Sequence, residues 1–151
     1  MSRLQARKAY RKALKLVQIG GYDPTQVMQL LVQAADGGNG DAAAALASWY
    51  AHGKHVRKNA RKAVEWFQKA ADAGNAEGIY GVAGAYESGI GGLEKNERTA
   101  FELYTRSALA GEKFAVMEVA RCYLHGIGVA PDETLGKIWL ERAVKMGVPI
   151  D

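Results

Sequence analysis

Tyr50, Tyr86 and Tyr123 stand 36 and 37 residues apart, and each is followed three positions later by a glycine, Gly53, Gly89 or Gly126. An Asn or Asp comes next, at Asn59, Asn96 and Asp132, then a bulky residue seven further on, at Trp66, Leu103 and Trp139. A small pair and a closing glycine complete each unit, at Gly74, Gly111 and Gly147. The second half of the pattern also appears near the start, as Asp23, Leu30, Ala34, Ala35 and Gly38. A period of this length belongs to units that cannot bury an apolar face alone and do so by stacking on their neighbours.

Both halves of the unit read as helices. Ala42, Leu46, Ala47 and Tyr50 follow one helical face, matched by Gly78, Val82, Ala83 and Tyr86 and by Ala115, Val119, Ala120 and Tyr123. Alternating small and large residues let two helix axes approach closely. Gly53, Gly89 and Gly126 accept the left-handed conformation that ends a helix. The Asn or Asp then caps the next helix by accepting from its unpaired first amides. Asp23, with Pro24 after it and Gln26 three residues on, is spaced as a capping box.

In the second helix Ala63, Trp66, Phe67, Ala70 and Ala71 form the buried stripe. Ala100, Leu103, Tyr104, Ser107 and Ala108 repeat it, and Leu135, Trp139, Leu140 and Ala143 approximate it. Tyr50, Trp66, Tyr86, Tyr123 and Trp139 are thus expected to be packing residues, with Trp66→Ala costing about 3 to 5 kcal/mol. Residues 3–19 lack the tyrosine, yet Leu4, Ala6, Ala9, Tyr10, Ala13, Leu14 and Val17 form an apolar stripe behind a Ser2 and Gln5 capping box.

The fold class is then all-α, with eight helices in about four antiparallel pairs near residues 3–19, 23–36, 40–52, 59–72, 75–88, 96–109, 112–125 and 132–146. We read one domain over residues 1–151: a degenerate opening repeat at 1–38 and three repeats at 39–74, 75–111 and 112–147. The extra residue of the longer interval falls in the loop between Gly89 and Asn96. Gly136, inside the last helix, is expected to soften it by about 1 kcal/mol relative to alanine.

A hydrophobic content of 48% with 24% charged residues is that of a folded chain rather than a disordered one. The lone Cys122 cannot form an internal disulfide, and the basic first 20 residues lack the apolar core of a signal peptide. No run approaches the ~20 apolar residues that cross a bilayer. The expected location is cytoplasmic, with no membrane contact. The first 22 residues carry six basic and no acidic side chains, leaving 14 basic against 16 acidic for the rest. The whole basic excess therefore lies in the first helix.

Catalysis needs a nucleophile or an acid and base pair that converge with an orienting group. Three histidines spread over the chain and one cysteine suggest no such set. His52 with His55, and Cys122 with His125, have the spacing of half a metal site, but the two halves lie whole repeats apart and cannot complete one tetrahedron. The expectation is a non-enzyme with no metal and no cofactor.

The run Tyr123, Gly126, Gly128, Val129 and Asp132, together with Lys62, Ala63, Trp66, Ala70, Ala71 and Gly74, resembles the Sel-one-like repeat (SLR) family, relatives of the tetratricopeptide repeat. The resemblance covers about residues 23–147. His55 departs from it where a second loop glycine is expected, Leu103 where a tryptophan is expected and Gly136 where an alanine is. It implies a right-handed α-α superhelix, a solenoid that scaffolds or adapts other proteins without enzymatic activity. It also implies that the first helix of each pair lines the concave face.

The positions flanking the packing stripe on those helices are Asp41, Ala44, Ser48 and His52, then Glu77, Tyr80, Gly84 and Glu87, then Phe114, Met117, Arg121 and His125. Tyr80, Phe114 and Met117 fall on what should be solvent, so a partner-binding groove with an apolar centre and polar edges is expected there. The partner would be another protein or a peptide. A chain with so few repeats could act stoichiometrically, as a regulator or immunity-type inhibitor does, and as a monomer or weak dimer. The alternative is an electrostatic binder that meets an acidic surface through Lys8, Arg11, Lys12 and Lys15, joined by the basic run from Lys54 to Lys62. Nucleic acid is the weaker form of that alternative, because no recognised binding motif accompanies the charge.

Overall fold

The computed structural model describes residues 1–150, and all its regular elements are helices. They are α1 (Arg3–Ile19), α2 (Pro24–Asp36), α3 (Gly40–His52), α4 (Ala60–Asp72), α5 (Ala76–Ser88), α6 (Glu97–Leu109), α7 (Lys113–His125) and α8 (Glu133–Lys145). Each boundary lies within one residue of the periodicity reading, because the period marks the caps. Asn39, Asn59, Asn96 and Asp132 each accept from the amide three residues on, at 2.9 to 3.0 Å. Gly53 and Gly126 close α3 and α7 in the left-handed conformation.

The tyrosine that defines the repeat contributes a backbone bond as well as a ring. The amides of Asn59, Asn96 and Asp132 donate to the carbonyls of Tyr50, Tyr86 and Tyr123, each at 2.9 Å. The loop between Tyr86 and Asn96 is one residue longer than its counterparts, yet the closing bond is the same length. The insertion is absorbed entirely within the loop.

The chain forms two compact units, Met1–Gly78 and Ile79–Asp151, with the division inside α5. In the first unit Ala9, Ala13, Val27, Leu31, Ala34, Leu46, Trp49 and Ala70 are among the residues that build the core. In the second, Ala83, Ala100, Tyr104, Val116, Val119, Cys122 and Ala143 do so.

Four sequence expectations are corrected. Ser2 and Gln5 make the complete capping box, whereas Asp23 accepts from Thr25 and makes no reciprocal bond with Gln26. The buried stripe of α1 is Ala6, Ala9 and Ala13, while Leu4, Leu14 and Val17 stand exposed. Trp66 and Trp139 do pack against the cores of their units, but they stay only half-buried, roofed by Lys69 Nζ at 4.8 Å and Arg142 Cζ at 5.0 Å. The buried tryptophan is Trp49, 8% exposed, which lies outside the periodic stripe. Gly136 is no soft spot: a Cβ there would lie 2.5 Å from Leu124 Cδ2 and 3.3 Å from the Leu124 amide nitrogen, so glycine is what lets α8 sit against α7.

His55 occupies the position where a second loop glycine was expected, and its φ is +60°. The ring compensates for that conformation, with Nε2 2.9 Å from the Tyr22 hydroxyl and the ring 4.9 Å from Trp49.

Candidate functional site

Within the second unit, one face of α5 carries Tyr80, Gly84 and Glu87, spaced four and three residues apart. One face of α7 carries Phe114, Met117, Glu118 and Arg121. The two faces are tied together by charge. Arg121 donates from Nη2 to both oxygens of Glu87, at 2.7 and 2.8 Å, and from Nε to Glu118 Oε2 at 2.6 Å. Tyr104, buried on α6, donates its hydroxyl to Glu87 Oε2 at 2.7 Å.

This network holds its protonation states firmly. Partial burial pulls the Glu87 carboxyl upward, but the hydrogen bonds from Arg121 and Tyr104 outweigh it and leave the group below the usual carboxylate range. Burial, then the Glu87 carboxylate, pushes the Tyr104 hydroxyl well above its ordinary value. Arg121 loses to desolvation but gains more from Glu87 and Glu118, so its charge is permanent. Each of these three shifts moves its group further from titration near neutral pH, so Glu87, Tyr104 and Arg121 form a fixed network.

The apolar side chains lie toward the N-terminal ends of the same helices. Phe114 is 46% exposed, with Lys113 Nζ 5.3 Å from its ring centre. Tyr80 and Met117 are half-buried against the core, Tyr80 with its ring 5.8 Å from that of Tyr104. Along α7 the apolar pair Phe114 and Met117 stands between Glu112 and Lys113 at the N-terminal end and Glu118 and Arg121 beyond it. Burial, and then the carboxylates of Glu118 and Glu112, raise the Tyr80 hydroxyl.

The other flanking positions are dispersed. His125 is exposed at the end of α7. In the first unit Asp41 accepts from Asn75 Nδ2 at 2.8 Å, and His52 donates from Nδ1 to the Ser48 carbonyl at 2.9 Å. Glu77 is exposed, whereas Ala44 is buried and offers a partner nothing, a correction to its place among the flanking residues. Lys8, Arg11, Lys12 and Lys15 are all exposed on α1.

Sequence reasoning missed Glu118 and gave Tyr104 only a packing role. The available signal was Glu118 standing three residues before Arg121, a spacing that puts both on one helical face. Cys122, beside Arg121 in the chain, is fully buried, and burial pushes its thiol up to about 11, so it carries no thiolate for metal or nucleophilic chemistry. Among the described residues no three His, Cys, Asp or Glu side chains gather as a metal would need. None of the described helices is long and apolar enough to cross a membrane.

Helix pairs that recur at this period, each closed by the same tyrosine carbonyl, define a helical-repeat protein. The chain belongs to the Sel1 repeat family, whose model matches residues 40–75, 76–112 and 114–148. A Sel1 repeat protein from Oxalobacter formigenes is 35% identical with a TM-score of 0.69, the match covering 78% of this chain and 87% of that one. An immunity protein from Pseudomonas aeruginosa is 27% identical with a TM-score of 0.63 over 95% of this chain, which spans 53% of its length. A protective antigen of uropathogenic Escherichia coli with an SLR fold has a TM-score of 0.82 at 24% identity, over 94% of this chain and 31% of its own, a likeness of fold. No curated protein matches the chain.

Proposed function

We propose that the chain is a non-catalytic protein-binding module that holds a partner protein or peptide against the α5–α7 face of its second unit. The observation that carries this reading is Phe114, 46% exposed on the face of α7 that also holds half-buried Met117 and Arg121, with Arg121 fixed on Glu87 of the α5 face that carries half-buried Tyr80. Aromatic and arginine side chains anchor protein interfaces, and groups already held in place lose little freedom on binding. The likeness to the Pseudomonas aeruginosa immunity protein supports the narrower reading that binding is stoichiometric and neutralises the partner.

The test is selection of 12-residue peptides from a random displayed library on the folded chain, followed by affinity measurement. Tyr80→Ala with Phe114→Ala should weaken the selected peptides about tenfold or more. Unchanged affinity would contradict the reading.

A second reading rests on the first unit, which carries twelve basic against six acidic side chains, a formal +6. Its exposed Lys8, Arg11, Lys12 and Lys15 suit an acidic surface, and such binding would weaken steeply with salt.

A further inference from the structure

We infer that α8 pairs with the α8 of a second copy of this chain, the two helices lying antiparallel about a twofold axis. The surface involved shares no residue with the α5–α7 face, so the two readings stand or fall separately.

Ile138, Arg142 and Met146 follow Leu135 by three, seven and eleven residues along one face of α8, with Trp139 beside them. Leu135 is 38% exposed, Ile138 51% and Met146 39%. The Arg142 guanidinium carbon lies 5.0 Å from the centre of the half-buried Trp139 ring, so the one charge within the stripe is held over it.

The other second helices have no such stripe. In α2, α4 and α6 the place of Leu135 is taken by Gln26, Lys62 and Thr99, and that of Ile138 by Gln29, Glu65 and Glu102. Small residues, Gly37, Ala73 and Ala110, stand where Met146 does. Gln26, Gln29, Lys62, Glu65 and Glu102 are exposed although a further helix pair follows each of them in the chain. Stacking of repeats therefore leaves this face to water, and packing within the chain does not require large apolar side chains on it. Val144, also exposed, is a different case, because its α6 counterpart Ala108 is buried.

The charges along α8 select what covers the stripe. The cap and first half hold Asp132, Glu133 and Lys137, an excess of one negative charge; the second half holds Glu141, Arg142 and Lys145, an excess of one positive charge. Lys137 is already held by Glu133 at 2.8 Å, whereas Arg142 and Lys145 pair with no carboxylate among the described residues. A uniformly acidic or basic partner would match one half of α8 and be repelled by the other. An antiparallel copy of α8 matches both, setting the basic last turn of each helix toward the acidic start of the other and Leu135 of one near Met146 of the other. A parallel copy would set like charge on like. The stripe offers roughly a few hundred Å² of apolar surface per copy, the low end for association, so the pairing is reversible.

Sedimentation equilibrium of the unaltered chain from about 10 μM to 1 mM should show the mean mass rising from one copy toward two. Leu135→Thr with Ile138→Glu installs the residues that α6 carries at those places and should weaken the association about tenfold or more, with circular dichroism unchanged. Tyr80→Ala with Phe114→Ala should leave it as it was. Glu133→Lys and Lys145→Glu should each weaken it alone, and an equimolar mixture of the two variants should restore it, since only the mixed pair sets opposite charges at both ends. A mass of one copy throughout the range, association that survives Leu135→Thr with Ile138→Glu, or a mixture no stronger than its components would overturn the inference. If the double variant fails to fold, the charge-swap mixture decides. A monomeric chain that instead binds vesicles of phosphatidylcholine and phosphatidylglycerol, or library-selected peptides, through Leu135 and Ile138 would assign the face to a membrane or to another protein and equally overturn it.

Discussion

Arg121 Nη2 bonds both carboxylate oxygens of Glu87, 34 residues earlier, at 2.7 and 2.8 Å. The two residues are not repeat equivalents, since the place of Glu87 is taken by Leu124 one repeat later. The pair therefore breaks the period that builds the core, and it joins the first helices of two successive repeats side by side. A half-buried, doubly hydrogen-bonded pair of this kind fixes side chains that would otherwise sample many rotamers.

Stability should fall in acid through Glu87. Its carboxyl sits below the ordinary range in the folded chain, so its contribution is fully present above the unfolded-state value and is lost as pH drops through the folded one. Urea midpoints measured from neutral pH into acid should decline, and Glu87→Gln should flatten that decline. An identical slope in the variant would show that the pair does not couple folding to protons.

Two helix glycines should respond in opposite directions to alanine. Gly84→Ala adds a Cβ with no closer contact than 3.7 Å and should stabilise the chain by about 0.5 to 1 kcal/mol. Gly136→Ala drives a Cβ into Leu124 and should destabilise it by about 1 to 3 kcal/mol. Thermal melts of both variants would check the signs.

Trp49→Ala should cost about 3 to 5 kcal/mol, because it empties a buried site. Trp66→Ala should cost less, since its ring is only partly buried and has the Lys69 ammonium over it. Chemical denaturation of the two variants would test the order, and a larger loss at Trp66 would contradict it.

Cys122 should be inert in the folded chain. Its thiol is buried and raised to about 11, so a thiol reagent at mildly alkaline pH should label it only as fast as the chain opens. Rapid labelling without denaturant would mean that α7 opens locally.

The helices were legible in the sequence because their caps are local chemistry: Asn59, Asn96 and Asp132 act on amides three residues away. Phe114 was legible as exposed for a similar reason, since it falls off the periodic stripe of its own helix. What a single period cannot report is contact between helices. The collision reserved by Gly136 depends on where Leu124 lies, and Trp49 is buried by an imidazole at His55 together with core side chains from other helices. The α1 stripe was overdrawn because spacing alone cannot tell which flank of a helix its neighbour covers, and Leu4 and Leu14 lie on the uncovered flank. Tyr104 kept its packing role and gained a second one only when Glu87 was found against its hydroxyl.

The most direct test sets the two binding surfaces against each other. Affinity for a library-selected peptide is measured for the unaltered chain, for Tyr80→Ala with Phe114→Ala, and for Lys8, Lys12 and Lys15 all changed to Glu, with folding verified by circular dichroism. The expected result is a loss of about tenfold or more in the aromatic variant, with the charge-reversed chain binding as before. Binding abolished by the charge reversal alone, with the aromatic variant unaffected, would contradict the assignment of partner binding to the α5–α7 face.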